Sequence, residues 1–232
     1  MILINHSCEP QQLTDAKRAL RRTPDTTYCY DSLLPDENGI GPKSATLDQL
    51  LRDQGHLCAY CMRRIGHHGS PAHIEHWIPR TKGSGSDSLD YCNMLAVCKG
   101  GGKNVRPKDQ TCDCRRGNAD LNLDPCNRRH IATLSYDGNG IISSSVAELN
   151  ADINERLNLN SEGSLLPANR RAAYAAANNL IASCYKNCAS NSKKGRNHVE
   201  KHLQALLRQE DPRDEFIGVV IWRLEQHLRR RH

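Results

Sequence analysis

Apolar residues recur at helical spacing near the start of the chain and again through its last third. In "ATLDQLLRDQ" (45–54), Leu47, Leu50 and Leu51 share one face, and Gly55 is placed to end the helix. A short amphipathic segment over 10–22 precedes it. Between the two, 23–43 carries Pro, Asp, Asn and Gly and reads as a loop. Toward the other end, Ala177, Leu180, Ile181, Cys184 and Cys188 form one stripe. Val199, Leu203 and Leu206 form a second, and Ile217, Ile221, Leu224 and Leu228 a third. Three such faces pack most simply against one another. "SNSKKGRN" (190–197) reads as a basic loop between two of these helices.

The middle of the chain follows a different rule. Its apolar runs are short, such as Ile74–Ile78, and it holds most of the Cys, Gly and His. Asp124-Pro125 predicts a turn, and "SYDGNGII" (135–142) predicts a hairpin. The pattern divides the chain into a helical lead-in (1–56), an irregular mixed region (57–143) and a helical region (144–232). The fold class it predicts is α+β. No internal repeat and no long low-complexity segment is visible.

A chain of 232 residues is one domain with extensions or two small ones, and it can bury a core. Aromatic residues are few, with a single Phe, so a further staple is expected. The 11 cysteines can supply it. "MILINHSCEP" turns polar by Asn5, and no run approaches the length of a membrane span. A cytoplasmic protein is therefore expected, with no membrane partner. In a reducing compartment the cysteines are metal ligands or buried thiols rather than disulfides. The net charge of +6, from 32 basic and 26 acidic residues, permits a nucleic-acid partner without demanding one.

"CAYC" sets Cys58 and Cys61 at the spacing from which one tight knuckle binds one metal ion. Cys98 and either Cys112 or Cys114 are the nearest downstream ligands for a structural zinc. The segment 99–111 between them is Gly-rich and basic. It could drape over a phosphate backbone or be a solvated insertion. Cys8, Cys29, Cys92 and Cys126 have no partner at ligand spacing, Cys184 and Cys188 lie four apart on an apolar helix stripe, and all six read as core thiols.

Between the cysteine pairs lie "HIEHWIPR" and "YCNMLAVC". The order Cys-x-x-Cys, Glu-His-x-x-Pro, Asn, Cys resembles the zinc-containing HNH endonucleases, over about residues 55–127. The resemblance implies a ββα-metal core with zinc beside a catalytic divalent cation, Mg²⁺ or Mn²⁺. It makes His76 the general base for water, Glu75 a ligand of the catalytic metal, and Asn93 the organiser of the loop. Adjacent strand residues face opposite ways, so the strand must bend or end for Glu75 and His76 to converge. Asp113, just after Cys112, matches the third position as a hard oxygen ligand. Zinc on Cys114 instead would shift that register. Asp124 is a further possible ligand. His73 shares the face of Glu75, but a structural role is at least as expected. Arg80 and Lys82 would hold phosphates flanking the cut, Trp77 reads as core, and His67 and His68 receive no role.

"LLRDQGHLCAYCMRRI", "CDCRRG", "NLDPCN" and the helical tail, with "LNLN" and "NRR", resemble the PtuB family as well. These are HNH nucleases of Septu-type and retron-linked anti-phage systems. That resemblance implies an ATPase partner of PtuA type, docked on the helical region. In retron-linked systems it also implies a reverse transcriptase and its RNA–DNA product. DNA and RNA, tRNA included, are both open as substrate. The alternative is a zinc-ribbon module that binds nucleic acid or acts as an adaptor without cutting.

Overall fold

The structure is a computed structural model that describes residues 1–36, 41–66, 69–101, 105–186, 189 and 192–230. It is a mixed arrangement of helices and two small antiparallel sheets. Helix α1 (Gln11–Arg22) and helix α2 (Pro42–Asp53) lie against each other at the start. Helix α2 begins three residues before the expected 45, inside the segment read as a loop. The reason is local. Pro42 sits in the first turn, where its fixed φ suits a helix. The Asp36 carboxylate accepts from the free amides of Lys43 (3.1 Å) and Ser44 (2.7 Å), so the cap comes from outside the helix.

Strands β1 (Ala72–His76) and β2 (Met94–Cys98) pair antiparallel, from Ala72 opposite Cys98 to His76 opposite Met94. Every residue of β2 is buried. Its second edge is closed by the buried Gln54, which donates to Ala96 O (2.7 Å) and accepts from Ala96 N (2.8 Å). The connection between the strands carries the short helix α3 (Gly85–Leu89). After β2 the chain reaches α4 (Cys112–Arg116), α5 (Arg128–Ala132) and the expected hairpin, β3 (Leu134–Tyr136) with β4 (Ile142–Ser144). The Asp137 carboxylate accepts from Asn139 N and Ile141 N to shape that turn.

Helix α6 (Ala147–Ala151) runs into a wider turn over Asp152–Arg156. Three long helices follow: α7 (Leu166–Cys184), α8 (Lys193–Leu207) and α9 (Ile217–Arg229). The segment read as a basic loop over 190–197 is in part the first turns of α8. Ser192 caps that helix by accepting from Gly195 N (3.1 Å). Ile181, Cys184, Val199, Leu203 and Leu224 bury together between the three helices, as their spacing predicts. Cys188, His67 and His68 lie outside the described residues.

The larger core draws on all three segments of the chain. It gathers Leu13 and Leu50 from the lead-in, Cys58, Leu95 and Leu123 from the middle, and Leu157, Phe216 and Val219 from the helical region. Trp77 packs at its margin and donates its indole N–H to Leu123 O (3.1 Å). Not all the remaining thiols are core. Cys8 and Cys92 are exposed and Cys29 and Cys126 half-buried, whereas Cys184 is buried. The four are set in loops and connecting turns rather than on a buried face, so spacing alone misreads them. Among the described residues no helix is long and apolar enough to cross a membrane.

Candidate functional site

The knuckle that starts at Cys58 is closed by Met62 N donating to Cys58 O (3.0 Å) and Cys58 N donating to Arg63 O (2.9 Å). It brings Cys58 and Cys61 to one point. Cys98 arrives at the end of β2 and Cys112 at the first residue of α4. All four are buried, and their sulfurs lie within 4.8 Å of one another. Tetrahedral zinc with Zn–S of about 2.3 Å separates its sulfurs by about 3.8 Å. Cys61 Sγ and Cys98 Sγ are 3.7 Å apart, so the cluster fits such an ion. Cys112, not Cys114, is the fourth member. Cys112 is held in the left-handed region (φ 50°), with its N–H on Leu157 O, and this aims its sulfur inward. Cys114 is half-buried and stays out of the cluster.

The thiols constrain one another. Burial opposes charge on Cys58, yet hydrogen bonds from Cys112, Cys61 and Cys98 draw it well below the usual thiol range. Cys112 moves well above it, because its hydrogen bond to Cys58 and its burial favour the neutral form. A bound cation removes that conflict by accepting thiolates from all four.

Beside this centre, the last residues of β1 look two ways. Glu75 shares a face with His73, as period-two alternation requires. Its carboxylate is 13% exposed and pairs with the guanidinium of Arg116. Burial raises Glu75 to about 6, with Arg116 opposing the shift and Asp113 adding to it. His73 Nε2 meets Asp113 Oδ2 at 2.8 Å, and that hydrogen bond raises His73. His73, Glu75, Asp113 and Arg116 thus form one chain of charge across β1 and α4.

His76 turns to the other side. It is 5% exposed, its Nε2–H donates to Ser88 O (2.9 Å), and the Tyr30 ring meets it edge-on at 4.8 Å. Burial lowers it to about 4, so its Nδ1 lone pair is free of a proton at neutral pH. The β1–β2 pairing runs through His76, so the strand does not bend before it, and Glu75 and His76 find different partners.

Asn93 lies where the loop closes. Its Oδ1 accepts from Ile78 N (2.7 Å), and its Nδ2 donates to Asp87 O (2.9 Å) and Ile78 O (3.2 Å). Arg80 pairs with Asp31 and lies 5.5 Å over the Tyr30 ring. Lys82 pairs with Asp120 (2.7 Å). Both cations expected at phosphates are therefore held by carboxylates. Asp124 accepts from Cys126 N (2.7 Å) within the turn before α5 and does not join the Glu75 group.

Arg116 escaped the reading of the sequence. "CDCRRG" looks like a charged surface turn. The available signal is spacing: Cys112 and Arg116 are four apart on one helix, so a buried Cys112 draws Arg116 inward. No protein-family model matches the chain, and a search of curated proteins finds no match.

Proposed function

We propose that the chain is a metal-dependent HNH endonuclease that hydrolyses phosphodiester bonds in DNA or RNA. In this reading it is the effector of an anti-phage complex with a PtuA-type ATPase, docked on the helical region. The observation that carries the reading is an arrangement. An antiparallel pair ends in Glu75-His76, Asn93 closes the loop onto that end, and a short helix enters from the fourth cysteine. This order supports the ββα likeness seen in the sequence.

His76 is held in the tautomer that a general base requires. Ser88 O fixes the tautomer by accepting a hydrogen bond from Nε2–H, leaving Nδ1 to accept a proton from water. The water oxygen bonds to phosphorus, the bond to the 3′ oxygen breaks, and solvent protonates the departing oxygen. Asn93 acts through the backbone of Ile78 and keeps the loop closed. The four-cysteine centre would hold zinc as a structural ion. A catalytic Mg²⁺ or Mn²⁺ would supply charge neutralisation at the phosphate. Glu75 and Asp113 match such an ion in kind but not in placement. They are taken by Arg116 and His73, and among the described residues only the four cysteines gather as a ligand group.

The same placement favours a second reading, a non-catalytic zinc module. Its support is the burial of His76 and the carboxylates already on Arg80 and Lys82. Incubating the chain with supercoiled plasmid and total tRNA, in Mg²⁺, Mn²⁺ or EDTA, separates the two. Strand breaks that need the divalent ion support the endonuclease. Retarded but intact nucleic acid in every lane supports the module.

A further inference from the structure

Arg116 is 1% exposed, and each of its three guanidinium nitrogens donates. Nε–H donates to Ala119 O (3.0 Å). Nη1 donates to Tyr60 OH (3.2 Å), to His76 O (3.0 Å) and to the Glu75 carboxylate. Nη2 donates to Trp77 O (2.6 Å). One side chain thus joins four places: the turn after its own helix, the cysteine knuckle, the Glu75 side chain, and two successive carbonyls at the end of β1.

Asn93 grips the next residue from its own side. Trp77 N donates to Asn93 O (2.9 Å) and Ile78 N to Asn93 Oδ1 (2.7 Å). Arg116 therefore holds the carbonyls of His76 and Trp77, and Asn93 holds the amides of Trp77 and Ile78 and the carbonyl of Ile78. This is the segment where a regular strand would continue its alternation. A guanidinium spreads its donors over a rigid planar fork and so reaches two neighbouring carbonyls and a carboxylate in set directions, whereas a lysine brings three rotatable donors from a single point. For stability alone the choice is poor, because a well-packed apolar side chain often replaces a buried ion pair without loss.

We infer that Arg116 is a positioning residue that fixes the β1 end bearing Glu75 and His76 by clamping His76 O, Trp77 O and the Glu75 carboxylate at once. This deepens the endonuclease reading and rests on it. Arg116 ends the helix that begins at Cys112, so the clamp and the fourth cysteine share one element.

The test compares wild type with R116M and R116K in three measurements: bound zinc, amide hydrogen exchange, and cleavage. The expected result in R116M is exchange at Trp77 and Ile78 faster by about tenfold or more. Exchange at Tyr136 and Ile142 in the β3–β4 hairpin should be unchanged, with zinc retained. Cleavage should lose at least about tenfold in kcat with little change in KM. R116K keeps a charge without the fork and should show the same losses; if R116M does not fold, it decides alone. Unchanged exchange at Trp77 and Ile78 overturns the proposal. So does wild-type kcat in R116K, since a point charge would then suffice. Should wild type fail to cut with any ion, the endonuclease reading falls, and the exchange data still decide whether the clamp exists.

Discussion

His76 and Glu75 are neighbours in sequence and opposites in environment, and pH should expose the difference. Burial holds His76 near 4, below its ordinary 6.5, so on acidification the unfolded chain takes the proton first. The stability that neutral His76 confers is complete above about 6.5 and is lost as pH falls toward 4, on the order of 3 kcal/mol. Glu75 runs the other way: raised to about 6, it stabilises below its ordinary 4.5 and loses that as pH rises through 6, on the order of 2 kcal/mol. The two partly offset each other in the wild type, leaving a net loss of about 1 kcal/mol on acidification. Denaturant unfolding of His76→Gln should unmask Glu75, and the advantage of wild type over the variant should shrink by about 3 kcal/mol between pH 7 and pH 4. An advantage independent of pH would contradict the buried neutral His76. The cysteines make a second test. Cys112→Ser should lose bound zinc and Cys114→Ser should keep it, read as metal per chain. The knuckle was legible because the Cys58–Cys61 spacing is local, and its distant partners because few residue types other than cysteine complete such a site. Arg116, and the carboxylates on Arg80 and Lys82, were not, since each partner lies far away in sequence.

At the scale of elements, periodicity located the long helices and the hairpin, and missed boundaries set by caps. Asp36 starts α2 early, and Ser192 starts α8 within an apparently basic loop. Helix α4 is too short to form by itself, so its geometry comes from Cys112 at one end and Arg116 at the other. The β3–β4 hairpin is tied to α7 in a comparable way. Arg170, buried in α7, donates to Gly140 O (2.6 Å) and Leu159 O (2.8 Å). Gly140 is the residue this contact requires. Its φ is 82°, and an added Cβ would lie 2.0 Å from Pro167 O. Gly140→Ala should therefore cost more than about 2 kcal/mol, measured by denaturant unfolding. A cost under half of that would mean the hairpin is not seated on α7 as described.

Across the whole molecule one core binds the three segments together. Residues as far apart as Leu13, Leu95 and Val219 bury in it, so the strand end is framed by elements from the full length of the chain. Composition foretold the need for a staple, and the four cysteines sit inside this core rather than apart from it. Which segments would share that core was not legible, because apolar spacing assigns a face to an element without naming its partner. The central claim is that His76 is the base of a phosphodiester hydrolase. Wild type and His76→Ala, matched for zinc and assayed on plasmid and total tRNA with Mg²⁺ or Mn²⁺, alone and with the ATPase, test it most directly. Cutting by wild type that EDTA abolishes and His76→Ala slows at least about a hundredfold is the expected result. Equal cutting by both proteins, or binding without cutting under every condition, would contradict it.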